Sequence, residues 1–276
     1  MKLGIGLSLT RQKILGSAFL PSDISNLDLW YDFSTISGST GDNVTSFANG
    51  GNAGSDYNLS QDTASDIPTL NTSEMSLNSL DFQSGSTTND DSLALDNTYI
   101  TTGKTFSVFV VFELSNVGAG KDTDTFLAGT NGGNNQFGLF NHKNVTTRFN
   151  SNASGNMNTV ENTITDTTSE DAQYTGGSTT TTSYTFGEDP EILLITRDAS
   201  NTVKIYNKAG ALVGISTSYT DEHADTNFEI AHIGSYHNGS TPANGFIGEI
   251  GVYNKTLSAS EVSDLITHLA DKWSIS

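Results

Sequence analysis

The sequence has no cysteine, only 4 prolines and few basic residues. Without thiols, disulfide frameworks, cysteine nucleophiles and cysteine zinc sites are excluded. No apolar run approaches the roughly 20 residues of a membrane-spanning helix, so we expect no membrane partner. The 12 Lys and Arg face 31 Asp and Glu, which gives a net charge of −19. Because no basic cluster occurs, nucleic-acid binding is excluded as the main function.

Small polar and turn-forming residues dominate what is present. The chain contains 37 Thr, 34 Ser, 26 Asn and 27 Gly. This mixture favours strands and turns over helices. The hydrophobic share of 34% is low but concentrated in discrete segments, as in a folded β protein rather than a disordered polar chain. One large all-β domain is therefore predicted.

Alternating apolar residues predict about ten to twelve strands. The strongest pattern covers residues 105–114, which are apolar on both faces and therefore typical of a central buried strand. Residues 207–210 predict a hairpin turn, whereas 37–62 and most of 150–188 predict loops. Further strand patterns occupy residues 27–32, 79–97 (two short strands around a polar turn), 126–129, 136–142, 191–198, 202–207, 211–216, 228–235 and 245–254.

A single helix is predicted at the end of the chain, at about residues 258–273. Ser258 and Glu261 form a capping box, and Leu257 with Val262 can form a hydrophobic staple. Its apolar stripe must pack on a sheet. The members of that stripe are Val262, Leu265, Ile266, Leu269 and Trp273.

The closing segment GFIGEIGVYNKTLSASEVSDLITHLADKWSIS, residues 245–276, carries a family resemblance. It resembles the C-terminal signature of laminin-G and concanavalin A-like lectin/glucanase jelly rolls. Three earlier segments of the chain, LDLWYDFS, LDFQSG and TFSVFVVFEL, resemble strands of that family and occur in the same order. The resemblance implies an all-β, two-sheet antiparallel jelly-roll sandwich over residues 23–276, with one short C-terminal helix. It implies no activity, because this fold hosts lectins, glycosidases, adhesion modules and virion proteins alike.

Residues 1–22 differ in charge from the rest of the chain. They contain three bases and no acid, while the remainder carries 9 bases against 31 acids. This pattern favours either a basic, apolar arm that docks onto an acidic partner or onto the protein's own acidic body, or an ordinary first strand. A signal peptide is not expected, since the apolar stretch is short and interrupted by glycine. The predicted docking residues are Lys2, Leu3, Ile5, Leu7, Leu9, Arg11 and Lys13.

The N-terminal MKLGIGLSLT ahead of a jelly roll resembles structural proteins of marine tailed phages. That resemblance implies assembly in the host cytoplasm and a final location in the virion. Its implied partners are capsid or other virion proteins, with the protein present as a homo-oligomer or in multiple copies.

Catalytic motifs are missing from the sequence. Glycosidases that resemble this chain carry Glu-x-Asp-x-Glu on a strand, whose alternate carboxylates face the cleft; no Glu here has Asp two residues later. The GKT at 103–105 lacks the upstream glycine of a phosphate loop, and no Gly-x-Ser-x-Gly occurs. The protein is therefore expected not to be an enzyme.

Oxygen-rich loops leave calcium as an open alternative to the expectation of no cofactor. Relatives in the resembling family often bind calcium, but no EF-hand or calcium repeat is present. Solvated loop acids are the expected state of these clusters. They are Asp90 with Asp91, Asp122 with Asp124, and the group Asp221, Glu222, His223 and Asp225.

Aromatic and histidine side chains are weaker candidates for a sugar-binding site. Aromatic rings stack on the apolar faces of sugars, although core positions are the expected home of both tryptophans. His232 and His237 are five residues apart, which places them on opposite strand faces. The aromatic candidates are Trp30, Tyr31, Tyr236 and Trp273.

Three functional hypotheses follow. The favoured one is a non-enzymatic phage capsid decoration protein, or a fibre or tail accessory, docked by residues 1–22. The alternative is a carbohydrate-binding, lectin-like adhesion module with a glycan partner, which predicts an exposed patch of aromatic and carboxylate groups. A hydrolase of unfamiliar type is a third, weaker hypothesis.

Overall fold

The structure is a computed structural model, and it describes twelve stretches of the chain. All statements below refer to these residues. They are 19–82, 91–103, 105–114, 123–129, 136–140, 146–149, 159–161, 178–181, 189–200, 202–217, 229–235 and 243–276.

Seventeen strands of the described chain form two antiparallel sheets. Sheet A contains β1 (Leu27–Asp32), β4 (Thr69–Asn71), β5 (Ser79–Asp81), β7 (Phe106–Leu114), β12 (Ser178–Thr181), β13 (Glu191–Arg197), β14 (Val203–Tyr206), β15 (Leu212–Thr217) and β17 (Gly245–Tyr253). Sheet B contains β2 (Ser46–Phe47), β3 (Leu59–Ser60), β6 (Leu93–Ile100), β8 (Thr123–Ala128), β9 (Gln136–Phe140), β10 (Thr146–Phe149), β11 (Thr159–Glu161) and β16 (Glu229–Ile233). The helix α1 spans Ala259–Trp273.

The strand order is that of a jelly-roll sandwich. Sheet A runs β12-β15-β14-β13-β7-β17-β5-β4, and β1 pairs with the second half of β17. Sheet B runs β11-β10-β9-β8-β16-β6-β3-β2. The predicted fold class, a two-sheet antiparallel sandwich with one C-terminal helix, is confirmed. The strand number exceeds the prediction because short strands such as β2 and β3 lie within the predicted loop 37–62.

The central strand β7 is buried on both faces, as its sequence predicts. Phe106, Val108 and Phe112 point into the core between the sheets. Phe109 and Val111 point the opposite way, into a second apolar cluster beneath α1. Alternation of side chains along a strand produces this division. The helix therefore covers the outer face of sheet A.

The predicted helix begins and ends as the sequence indicates. The Ser258 side chain accepts a hydrogen bond from the Glu261 backbone N–H, and the Glu261 carboxylate accepts one from the Ser258 N–H at 2.8 Å. At the other end Ser274 adopts the left-handed conformation with φ of 55°. The five residues of the predicted stripe are all buried: Val262, Leu265, Ile266, Leu269 and Trp273.

The residues before β1 are fixed against this helix side of the sandwich. The Phe19 ring packs edge-on against His268 of α1, with ring centres 5.7 Å apart. The buried hydroxyl of Tyr253 donates to the Pro21 carbonyl at 3.0 Å. Phe19 and Pro21 therefore lie on the α1 side of sheet A. Within the described ranges, no helix is long and apolar enough to cross a membrane.

Candidate functional site

A row of small side chains crosses the outer face of sheet B. Ser60 of β3 pairs with Ala94 of β6, Ala94 pairs with His232 of β16, and His232 pairs with Ala128 of β8. The neighbouring row, which includes Leu59 and Leu95, faces the core, so strand alternation places the small row outside. His232 is the one large side chain among these four residues. Ser60, Ala94 and His232 are half-buried, and Ala128 is buried.

Asp96 lies on the same face of β6 as Ala94. It lies two residues after Ala94 on β6 and is exposed. Its carboxylate accepts a hydrogen bond from the Ser60 hydroxyl at 3.0 Å. Its backbone N–H donates to the Asn58 carbonyl at 2.9 Å, which fixes β6 against the loop that carries Tyr57.

The loop 49–58 and β6 assemble a cluster of carboxylate, amide and aromatic groups at this edge. Asn97 donates from Nδ2 to the Asp56 carbonyl at 2.9 Å. The Tyr99 hydroxyl donates to Asp28 Oδ2 at 2.6 Å. Tyr57 packs edge-to-face on Tyr99, with centroids 5.4 Å apart. We name this cluster the edge patch; its members are Asp28, Asp56, Tyr57, Asp96, Asn97 and Tyr99.

The side chains of the edge patch differ in their exposure to solvent. Asp56, Asp96 and Asn97 are exposed, Asp28 and Tyr57 are half-buried, and Tyr99 is buried. Carboxylates accept hydrogen bonds from hydroxyl groups, an amide offers both donor and acceptor, and an aromatic ring packs on an apolar surface. A neutral polyhydroxylated ligand matches this set of groups.

Two tyrosine hydroxyls near the patch are held in the neutral form. Burial raises the pKa of Tyr99 far above its ordinary value, and the hydrogen bond to Asp28 with that carboxylate's charge raises it further. Burial, followed by the charge of Asp96, does the same to the pKa of Tyr31. The Tyr31 hydroxyl donates to the Tyr57 carbonyl at 2.6 Å and so holds the loop in place.

These shifts predict a loss of stability in alkaline solution. Burial also raises the pKa of Tyr253. A tyrosine with a raised pKa in the folded state stabilises that state below the unfolded pKa of about 10, and the contribution is lost as pH rises above it. We expect Tyr31, Tyr99 and Tyr253 to ionise only on unfolding. Tyrosinate absorbance and circular dichroism, recorded together against pH, test this; ionisation of all 9 tyrosines before unfolding would contradict it.

A second polar cluster lies beneath the end of α1 and has a structural role. The side chain of Glu249 on β17 is fully buried. Its Oε1 accepts from Trp30 Nε1 at 2.7 Å, and its Oε2 accepts from Lys272 Nζ at 2.7 Å and from Trp273 Nε1 at 3.0 Å. Lys272 also contacts Asp32 Oδ1 at 2.7 Å. Because the carboxylate already has three donors, this cluster ties the helix to the sheet.

The aromatic candidates from the sequence do not form one platform. Tyr31 lies in the core between the sheets, and Trp273 is buried beneath α1, so its predicted core position is confirmed. Trp30 is half-buried and packs against the second apolar cluster beneath α1, because alternation on β1 turns it away from the core that Tyr31 enters. Tyr236 lies outside the described residues.

Most of the other predicted site residues also lie outside the described residues. These are Lys2, Leu3, Ile5, Leu7, Leu9, Arg11 and Lys13 of the arm, and Asp90, Asp122, Asp221, Glu222, His223, Asp225 and His237. Asp91 is described and buried. In the part of the chain that the structure describes, no group of three or more His, Asp or Glu side chains could hold a metal ion.

The edge patch itself was not predicted. Its contacts join residues far apart in sequence: Tyr99 and Asp28 are separated by 71 positions and Asp96 and Ser60 by 36. No local spacing rule detects such pairs. The only sequence signal is the polar run Asp96–Thr98 inside an otherwise alternating strand, which marks the place where β6 meets the loop.

Comparison with known proteins supports the fold. The sequence matches no protein-family model and no curated protein. Among solved structures, the binding domain of Paraclostridial mosquitocidal protein 1 is 12% identical over 90% of this chain, with a TM-score of 0.52. The chain spans about half of that structure, 52% of its length. At this identity the likeness shows a shared β-sandwich fold.

Two further similar structures have lower TM-scores. Domain 4 of AbnA, an extracellular arabinanase from Geobacillus stearothermophilus solved with arabinotriose, is 14% identical, with a TM-score of 0.47. The alignment covers 87% of this chain and 98% of that domain. The Ruminococcus gnavus IT-sialidase CBM40 bound to α2,3 sialyllactose is 14% identical, with a TM-score of 0.40, over 60% of this chain and 84% of that one.

Proposed function

We propose that this protein is a non-catalytic, lectin-like carbohydrate-binding domain. The observation that carries the proposal is the edge patch, where the exposed acids Asp56 and Asp96 and the amide of Asn97 flank the half-buried ring of Tyr57. Sugar hydroxyls would donate to the carboxylates while an apolar sugar face packs on the ring. The likeness to the mosquitocidal binding domain supports the fold, and the patch supports the ligand class.

The absence of catalysis is part of the same proposal. Hydrolysis of a glycosidic bond needs two carboxyl groups that flank the bond. Several carboxylates on the described strands are held by structural partners instead. Glu249 has three donors, Asp32 contacts Lys272, and Glu191 contacts Lys208 at 3.5 Å. With no Glu-x-Asp-x-Glu in the sequence, binding without turnover is the function that these residues fit.

Variants of the edge patch test the ligand site. We expect Asp96→Asn to weaken glycan affinity by about 10-fold or more, because a hydrogen bond to a charged group contributes about 1.5–3 kcal/mol. Tyr57→Leu keeps apolar bulk but removes the ring, and the same direction is expected. Titration calorimetry on a glycan bound by the wild type measures the change. Asp264→Asn, on the exposed face of α1, is the matched control and should bind normally.

The titrations are run with calcium and with a chelator. The metal candidates Asp221, Glu222 and Asp225 lie outside the described residues, and calcium stays an alternative cofactor for the proposal. If a chelator abolishes glycan binding and Asp96→Asn leaves it unchanged, the glycan site lies outside the edge patch. Chelator-resistant binding that Asp96→Asn weakens supports the edge patch.

A second proposed function is display on a phage particle. The observation that favours it is the charge contrast between residues 1–22, with three bases and no acid, and the acidic remainder. In addition, Phe19 contacts His268 and Pro21 accepts from Tyr253, so the last residues of the arm lie on the α1 side. The edge patch belongs to β1, the loop 49–58 and β6. An arm bound to capsid proteins would anchor many copies in the virion and leave the patch free for glycans.

Removal of the arm tests this second proposal. We expect the full chain to co-sediment saturably with phage particles stripped of accessory proteins, and a chain lacking residues 2–18 to stay in the supernatant. That truncation keeps Phe19 and Pro21, so the contacts with His268 and Tyr253 are preserved. A full-length variant with Lys2, Arg11 and Lys13 changed to Gln isolates the contribution of charge. Equal binding by the truncated chain would refute the docking role.

A further inference from the structure

Asn49 occupies the centre of the hydrogen-bond network that holds the loop 49–58 on β1. Its Oδ1 accepts from the backbone N–H of Trp30 and of Gly51, both at 2.9 Å. Its Nδ2 donates to the carbonyls of Asp28 at 3.1 Å and Gly54 at 3.2 Å. All four of these hydrogen bonds join the Asn49 side-chain amide to backbone groups. Neither oxygen nor nitrogen can be exchanged without loss.

The residue after Asn49 is glycine, which makes this amide chemically vulnerable in an open chain. The Gly50 nitrogen can attack the Asn49 side-chain carbonyl carbon and form a five-membered succinimide. The bond from that carbon to the amide nitrogen breaks, and ammonia leaves with the proton from Gly50. Water then opens the ring at either carbonyl and gives aspartate or isoaspartate. Glycine favours the attack because it lacks a Cβ that would hinder it.

The folded structure blocks this reaction at both reacting groups. The Gly50 N–H donates to the Trp30 carbonyl at 2.9 Å, so the attacking nitrogen is engaged in a backbone hydrogen bond. The Asn49 amide must rotate to be attacked, which would break its four hydrogen bonds. The Asn49 backbone N–H is also held, by Asn58 Oδ1 at 2.9 Å. Reaction thus requires the loop to leave β1.

We propose that Asn49 is a latent deamidation site that reacts with water only when the loop 49–58 opens, and whose product prevents the loop from closing fully. Aspartate at this position places a carboxylate oxygen where Nδ2 now donates to the Asp28 and Gly54 carbonyls. Two hydrogen bonds become contacts between oxygen atoms. Isoaspartate also lengthens the backbone by one carbon. Because ammonia is lost, the modification is irreversible, and modified chains accumulate as the loop opens. This inference is independent of the proposed glycan binding.

Peptide mass spectrometry of the full chain, incubated at mildly alkaline pH, tests the proposal. We expect deamidation of Asn49 to be about 100-fold or more slower in the folded chain than in the same chain in urea, because it depends on local opening. Asn58→Ala removes the acceptor of the Asn49 N–H and should accelerate the folded-state reaction. Equal rates in folded and unfolded chains, or an unchanged rate in Asn58→Ala, would overturn the protective role of the loop.

The consequence of the modification is tested with a mimic of its product. Asn49→Asp is expected to lower the urea midpoint and to increase amide hydrogen exchange at Gly50 and Gly51. Asn52→Asp is the matched control, since Asn52 is exposed in the same loop and the charge change is identical. If both variants shift the midpoint equally, the effect is one of charge alone and the proposed obstruction of closure is wrong.

Discussion

Replacing Glu249 by alanine is expected to lower the free energy of unfolding by about 3–5 kcal/mol, the cost of breaking a buried ion pair by removing one partner. The carboxylate is fully buried and accepts from Lys272 and from the indoles of Trp30 and Trp273. Its removal leaves two indole N–H groups without their acceptor and leaves Lys272 with Asp32 alone. Urea unfolding followed by circular dichroism measures the loss.

Two further variants separate charge from packing. Glu249→Gln keeps the shape but directs an amide N–H₂ toward one of the three donors, so a loss intermediate between wild type and alanine is expected. Glu261→Gln is the matched control, because Glu261 forms a partly exposed pair with Lys255 at 2.6 Å and a glutamine preserves the capping box. A Glu249→Ala variant as stable as Glu261→Gln would show that the cluster does not hold the helix.

Replacing Trp273 by alanine is expected to destabilise the fold by a similar amount, about 3–5 kcal/mol. The side chain is 1% exposed and packs directly over Gly248. A Cβ added to Gly248 would lie 2.5 Å from the indole ring, so the ring fills the space that the glycine leaves. The substitution opens a cavity beneath α1 and also removes one donor to Glu249.

Thr267→Ala is the control for Trp273→Ala, because Thr267 is exposed on the same helix. Its effect should stay within about 0.5 kcal/mol. The Glu249 and Trp273 substitutions share one network, so the double variant should cost less than the two single losses added together. A strictly additive double variant would mean that the indole and the carboxylate stabilise the helix independently.

The elements with strong periodicity were predictable from sequence. Strand β7 is apolar on both faces because sheet B covers one side and α1 covers the other, and the pattern at 105–114 reports both contacts. The helix was predictable because Ser258 and Glu261 cap it locally and its buried stripe follows the helical period. In each case neighbours in sequence carry the signal.

The candidate site depends instead on contacts between distant segments. Tyr57 lies in a stretch whose composition predicts only loop, yet it packs on Tyr99 of β6 and its carbonyl accepts from Tyr31 of β1. In the sequence, Asp28 is an ordinary polar position in the alternating pattern of β1. Its hydrogen bond with the Tyr99 hydroxyl forms only in the folded protein. Such pairings are set by the folding of two sheets together and leave no pattern within either segment.

The most direct measurement of the central claim is a glycan array probed in parallel with the wild-type chain and with Asp96→Asn, each with and without calcium. Carbohydrate binding through the edge patch predicts a restricted set of glycans bound by the wild type. It also predicts weaker signals for the same glycans with Asp96→Asn. An array on which the wild type binds nothing, or one that Asp96→Asn reproduces at full strength, would contradict it.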